Sequence, residues 1–168
     1  RPFHRFDVFT HSVAASLFMD LLLTPDYPFD HLGAQIWSVL WDGPAWDVPT
    51  VDGDLRRHFR ENGAALRLAA LLHDVAKPQT RTVDAANRTH FYGHPEQGAA
   101  IAARRLRGWR LPKRVVERVS LLIDQHLRPG QVSSPGQPPT AKALDRFQRA
   151  LGDVSSDLCW LFLADSLA

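Results

Sequence analysis

Leu68-Ala69-Ala70-Leu71-Leu72-His73-Asp74-Val75-Ala76-Lys77-Pro78 is the stretch on which the fold turns. Gly63 to Ala76 is rich in Ala and Leu and apolar almost all round, which predicts a helix buried at the centre of an α-helical domain. Lys77-Pro78 ends it, because a proline ring cannot continue the backbone ladder. Beside that stop stand a histidine and an aspartate. Adjacent helical residues point about 100° apart, so His73 and Asp74 can flank one ion from the same turn. A carboxylate buried with no partner is costly, so an aspartate in this setting calls for an explanation.

Outward from this segment, helical spacing dominates. Asp7 to Leu23 reads as a helix with Asp7 as its cap and Thr24-Pro25 as its stop. Residues 25–54 read as an irregular insertion, with Pro25, Pro28, Pro44, Pro49, Gly33, Gly43, Gly53 and three Trp; Gln35 to Trp41 could add a helical turn or two. Thr80 to Tyr92 alternates in part around Asp84-Ala85-Ala86-Asn87 and predicts a short β-hairpin. Pro95 starts a helix that runs to about Arg107, and Lys113 to Leu127 forms another. Gln131 to Pro139 is a Pro/Gly/Ser loop, and Ala141 to Leu151 and Asp153 to the end form the last two helices.

On three of these helices a polar residue interrupts an apolar stripe. His11 lines up with Ala14, Phe18 and Leu21; His126 with Val115, Val119 and Leu122; Asp165 with Val154, Leu158 and Leu161. Taken singly, each has an ordinary reading as a hydrogen-bonded core residue or a salt bridge. Taken with His73-Asp74, two inward carboxylates and several inward imidazoles need a common partner, and a divalent cation supplies one. Imidazole and carboxylate donors suit Mn, Fe, Co, Ni or Zn, and carboxylates with water suit Mg. His4, His31, His58 and His90 fit no ligand pattern and read as surface or local contacts.

Composition narrows the class. The chain has 168 residues, 45% hydrophobic and 23% charged, which fits one globular domain. Its longest apolar runs are too short to span a bilayer, and no signal peptide pattern opens it. Cys159 is the one cysteine, which excludes a disulfide framework and a thiolate metal cluster and points to a reducing, cytoplasmic setting. The first residue is not Met and the last lie inside an apolar pattern, so the chain reads as a piece excised from a longer protein. Net charge is only +2, yet Arg104, Arg105, Arg107, Arg110, Lys113, Arg114 and Arg118 crowd one stretch. They are either a phosphate-contacting surface or a solvated helix face. Gly98, Ala99, Ala100, Ala102 and Ala103 make a small-residue face that close helix packing explains.

The motifs together resemble the HD-domain superfamily. Leu68 to Pro78 is similar to its LAALLHDIGKP segment, and Phe91-Tyr92-Gly93-His94 with Glu96, Gly98 and Ala99 resembles the FYGHE…GA segment of the branch attached to bacterial tRNA nucleotidyltransferases and poly(A) polymerases. Ile123-Asp124-Gln125-His126-Leu127-Arg128-Pro129 and Leu163-Ala164-Asp165 continue the resemblance in order. It implies an all-α HD-domain helical bundle over 1–168, with a hairpin near 80–92. It also implies that His11, His73, Asp74 and Asp165 hold a primary divalent metal, with one or two ions in all. His94 and His126 would hold a second ion or face the substrate phosphate. Asp74 would bridge the ions or orient the attacking water. His94 has a second reading as a helix-start residue before Pro95. Lys77, Arg81 and Arg128 are phosphate-binding residues in this reading, and Lys77 is alternatively a charge at a helix C-terminus.

The implied activity is metal-dependent hydrolysis of phosphoesters in nucleotides or RNA ends, of the 2′,3′-cyclic phosphodiesterase, 2′-nucleotidase or phosphatase type. The implied partners are tRNA, held through the basic stretch, and an N-terminal nucleotidyltransferase head. Two alternatives stay open: a tRNA-binding or structural module with a non-catalytic metal, and a signalling-nucleotide phosphohydrolase. The cyclic-dinucleotide branch carries a GYP triplet that Tyr92-Gly93 does not reproduce. Asp52-Gly53-Asp54 lacks the apolar strand context of a polymerase-type carboxylate pair.

Overall fold

The computed structural model describes residues 7–23, 53–132 and 138–168. Helix α1 spans Val8–Leu22, α2 Gly53–Leu72, and α3 is a single turn, Lys77–Thr80. Strands β1 (Thr82–Val83) and β2 (Thr89–His90) follow, then α4 (His94–Gly108), α5 (Lys113–Gln125), a second single turn α6 (Arg128–Gln131), α7 (Ala141–Leu151) and α8 (Val154–Leu167). The domain is a helical one with a two-stranded antiparallel ribbon, as the sequence predicts.

The helix ends are set by local chemistry. Asp7 accepts a hydrogen bond from the Thr10 backbone N–H at 2.9 Å and so caps α1. Thr140 does the same for α7 through Ala143, at 3.2 Å. The α4 helix begins at His94 because Gly93 takes φ 73°, a left-handed turn open to glycine, and Pro95 follows in the first turn. In the hairpin, Thr82 pairs with His90 and Val83 with Thr89. Asp84 closes its turn by accepting from the backbone N–H groups of Ala86 and Arg88, both at 2.9 Å.

The core lies where α1, α2, α5 and α8 pack together, with α4 laid along α5. Met19, Leu66, Ala69, Ala70, Leu106, Leu122, Ile123, Leu158 and Leu161 are all essentially inaccessible. Each fully buried Leu or Ile is worth roughly 1.5–3 kcal/mol relative to exposure. The small-residue face of α4 does what its sequence suggests: Gly98, Ala99, Ala102 and Ala103 are buried, whereas Ala100 is exposed. A methyl on Gly98 would sit 3.2 Å from Ile123 Cγ2 and 3.5 Å from the His73 carbonyl, so this glycine lets α4 approach both α5 and the His73 turn.

Three local expectations change. The α1 stripe facing the core is His11, Ala15, Met19 and Leu22, one position on from the expected Ala14, Phe18 and Leu21; Leu21 is 36% exposed. Apolar residues surround α1, so periodicity alone could not fix its phase. The central helix starts at Gly53 and ends at Leu72, so residues 53 and 54 belong to it and not to the insertion, and His73 and Asp74 lie just past its end. Lys77-Pro78 does not simply stop a helix but begins the turn α3. The rest of the insertion, including Gln35 to Trp41, lies outside the described residues, as do His4, His31 and residues 133–137 of the Pro/Gly/Ser loop.

Candidate metal centre

Every residue expected at the site stands within one turn of a helix end. His11 is in the first turn of α1, His94 is the first residue of α4, His126 caps the C-terminus of α5, and Asp165 is in the last turn of α8. His73 and Asp74 occupy a tight turn after α2, in which the Val75 N–H donates to the Leu72 carbonyl and the Lys77 N–H to the Asp74 carbonyl. These termini converge. Nε2 of His11 lies 2.8 Å from Asp165 Oδ1 and 3.7 Å from Asp74 Oδ2. Nε2 of His73 lies 3.3 Å from each of those two oxygens. On the other side of Asp74, His94 Nε2 is 3.5 Å and His126 Nε2 4.0 Å from Oδ1, and the two imidazole nitrogens are 3.3 Å apart.

Two triplets of donors result: His11, His73 and Asp165, and beside them Asp74, His94 and His126. Asp74 stands between the two, with Oδ2 toward the first and Oδ1 toward the second. The imidazoles are pre-oriented. Nδ1 of His73, His94 and His126 lies 2.8, 2.7 and 2.7 Å from the carbonyls of Ala70, Phe91 and Ile123. A carbonyl can only accept, so each Nδ1 carries the hydrogen and each Nε2 is turned inward as the donor atom. Backbone-fixed tautomers of this kind are what metal-ligating histidines use.

The electrostatics call for a cation. His73 and Asp74 are essentially inaccessible; among the described residues His73 Nε2 and Asp74 Oδ1 are buried without a hydrogen bond, and Asp74 Oδ2 is ion-paired with Lys77 Nζ at 2.6 Å. Burial alone would push His73 toward neutrality, but the Asp165 and Asp74 carboxylates outweigh it and raise its pKa to about 10. Burial would likewise raise Asp74 and Asp165, yet the imidazoles beside them, and Lys77 beside Asp74, hold both well below the ordinary carboxylate range. His126 goes the other way, pushed down to about 4 by burial and then by the His73 charge. Thus the centre holds two anionic carboxylates and gathers positive charge around them. With the proton on His73 Nε2 displaced, these nitrogen and oxygen donors fit a divalent ion of the Mn, Fe, Co, Ni, Zn or Mg type, and the one cysteine, Cys159, is exposed.

The phosphate-binding expectations fare differently. Lys77 is buried, with Nζ 2.6 Å from Asp74 Oδ2 and 5.6 Å from the Phe91 ring centroid. It therefore borders the centre, at the start of the single turn α3. Arg81 is exposed beyond α3, and exposed Arg128 donates to Gln125 Oε1 at 2.9 Å. Arg118 does not join the exposed basic stretch. Its guanidinium turns inward to Asp157 at 2.6 Å and Asp153 at 2.9 Å. The same Asp157, fully buried, takes His58 Nε2 at 2.5 Å. This His58–Asp157–Arg118 group was missed in the sequence, although Asp157 shares a face with Leu161 and Asp165 at four-residue spacing. His90 also has a local role, stacked on Tyr92 and 2.9 Å from Asp84.

The HD-domain family model matches residues 45–168. His11 precedes that match and joins the centre through the α1 packing. Among curated proteins, the chain is 46% identical over 103 residues to a CC-adding tRNA nucleotidyltransferase of Thermus thermophilus, covering 61% of this chain and 22% of the relative. It is 36% identical over 101 residues to an A-adding tRNA nucleotidyltransferase of Deinococcus radiodurans, covering 60% of this chain and again 22% of the relative. The match therefore spans between a fifth and a quarter of the length of those relatives. No described helix is long and apolar enough to cross a membrane.

Proposed function

Because the chain belongs to the HD-domain family, we propose that it is a divalent-metal-dependent phosphohydrolase acting on phosphoesters of nucleotides or RNA ends. The carrying observation is the buried Asp74, whose two oxygens face two sets of inward imidazole nitrogens, Oδ1 without a hydrogen bond and Oδ2 also ion-paired with Lys77. In this reading His11, His73, Asp74 and Asp165 hold the primary ion, and His94 and His126 either complete a second site with Asp74 or face the scissile phosphate. A bound divalent ion would polarise the phosphoryl oxygen and lower the pKa of water.

The residues around it would do the rest. Asp74 orients the attacking water, and the fixed Nδ1–H bonds keep the three Nε2 lone pairs aimed inward without rearrangement. In this reading Lys77, beside Asp74, offers its charge to a phosphate oxygen, with the exposed Arg81 and Arg128 as further phosphate-binding residues. The similarity to two tRNA nucleotidyltransferases supports a 2′,3′-cyclic phosphodiester or terminal phosphate of RNA as substrate. It also supports a longer protein with a nucleotidyltransferase head, in a cytoplasmic setting, with this chain as one HD domain. Hydrolysis of a chromogenic phosphodiester with added Mn, Ni or Mg tests the activity. Turnover that needs the metal and vanishes in His73→Ala is expected; absence of any metal-dependent turnover in the native chain would leave a binding module with a non-catalytic ion.

A further inference from the structure

The far end of α4 carries a surface with its own chemistry. It lies about 20 Å along the helix axis from His94, at 1.5 Å per residue. Arg104, Arg105 and Arg107 in the last turns of α4, Arg110 in the connection, and Lys113 and Arg114 at the start of α5 are all exposed. No Asp or Glu occurs between Glu96 and Glu117. Among the described residues, Glu117 is the one carboxylate paired with the group, at 3.6 Å from Lys113 Nζ. In the midst of these cations stands Trp109, with 62% of its surface exposed, sharing a shallow groove with Arg104, Arg105 and Gly108.

The backbone presents this surface at a cost. Helix α4 ends in a Schellman motif: Arg110 N–H donates to Arg107 O at 2.9 Å and Leu111 N–H to Leu106 O at 3.1 Å. The left-handed position of that motif, which favours glycine, holds Arg110 at φ 58°. Glycine would close the same turn with less strain, but without the cation.

We propose that the α4–α5 corner binds a single-stranded nucleic acid, with the guanidinium groups on phosphates and an unpaired base stacked on Trp109. Paired cations and an exposed indole are the two parts of a sequence-tolerant single-strand site. A protein partner fits less well, because interface cores are depleted of charge and this surface has almost no carboxylate to balance its own. The inference does not depend on hydrolysis at the metal centre. Binding is read with metal absent, so either claim can fail alone.

The test is fluorescence anisotropy of labelled single-stranded RNA and DNA of one sequence, titrated with the chain at several salt concentrations. Binding of either strand is expected, with the affinity falling steeply as salt rises. The double variant Arg104→Ala/Arg105→Ala lowers the salt slope by about 1.4, at roughly 0.7 per phosphate contact, while Arg→Lys at both positions keeps it. Trp109→Ala weakens binding about tenfold with little change in slope, and Trp109→Phe retains most of it. Arg110→Gly weakens binding without lowering the melting temperature. Absence of binding to both strands, or binding whose affinity and salt slope ignore these substitutions, overturns the proposal.

Discussion

Two acidic centres draw on the same helix, α8, and solve the same problem in opposite ways. Asp157 and Asp165 lie two turns apart on α8, each facing a histidine. Asp157 is fully enclosed, and the protein neutralises it completely: His58 from α2 at one oxygen, the Arg118 guanidinium from α5 at the other, with Asp153 closing the far side of Arg118. The Asp165 centre gathers a second carboxylate, Asp74, whose Oδ2 meets Lys77, and leaves Asp74 Oδ1 and His73 Nε2 buried without hydrogen bonds. Polar groups in protein interiors are nearly always satisfied. A network that closes on itself is a clamp between helices; one left open toward a common point is built for something that is not protein.

That contrast can be broken by substitution. The largest effect on folding is expected at the closed centre. Asp157→Ala leaves the Arg118 and His58 groups without their shared acceptor and should lower stability by about 3 kcal/mol, measured by urea denaturation. Asp74→Asn should change the stability of the metal-free chain by less, since its amide oxygen can still accept from Lys77 Nζ. It should instead abolish stabilisation by added divalent ion, which in the native chain reaches about 2.7 kcal/mol at a hundredfold excess over Kd. If both substitutions destabilise equally and neither alters the response to metal, the distinction between clamp and open centre falls.

Next in size is packing at the junction. Gly98→Ala pushes a methyl toward Ile123 and the His73 carbonyl. It should cost about 1–2 kcal/mol and weaken metal binding together with stability, because the turn holding His73 and Asp74 rests on α4. Calorimetric titration with Mn beside thermal melting would show whether the two losses travel together.

His94→Ala sharpens the comparison within the open centre. If Asp74 serves two ions, metal stoichiometry should fall from two to one while His11, His73 and Asp165 keep theirs; if one ion binds, stoichiometry should hold and turnover alone should drop. The smallest effect belongs to the hairpin. Its Asp84 is lowered to about 2, by the His90 hydrogen bond first and the Arg88 backbone second. A depressed carboxylate contributes stability present above its unfolded pKa near 3.8 and lost as pH falls through the folded value. Hairpin order, followed by the Thr89 amide signal in an NMR pH titration, should therefore persist to pH 4 and fade between there and about pH 2.

Most of the helices and the open centre were legible in the sequence, and the physics explains why. Capping and helix-start signals at Asp7 and Pro95 are local, so they survive without tertiary information. His126 and Asp165 each broke an apolar stripe, and such a break is visible wherever the other faces of the helix are polar. The α1 phase was not legible because Val8, Phe9, Val13, Ala14 and Leu17 spread apolar surface around the helix. The end of α2 at Leu72 was hidden as well, since nothing between Leu72 and Lys77 breaks a helix by composition. His58 sits among Arg57, Arg60 and Glu61, a charged neighbourhood that reads as solvent-facing. Only the fold brings Asp157 and Arg118 to it.

The central claim is that the carboxylates and imidazoles around Asp74 hold a divalent ion. Elemental analysis of the purified chain, beside Asp74→Ala and Asp157→Asn variants prepared in the same way, tests it most directly. One or two equivalents of a divalent transition metal or magnesium should be retained by the native chain and by Asp157→Asn, and lost in Asp74→Ala. A native chain that stays free of metal after exposure to Mn, Fe, Co, Ni, Zn and Mg, or an Asp74→Ala chain that retains as much as the native one, would contradict it.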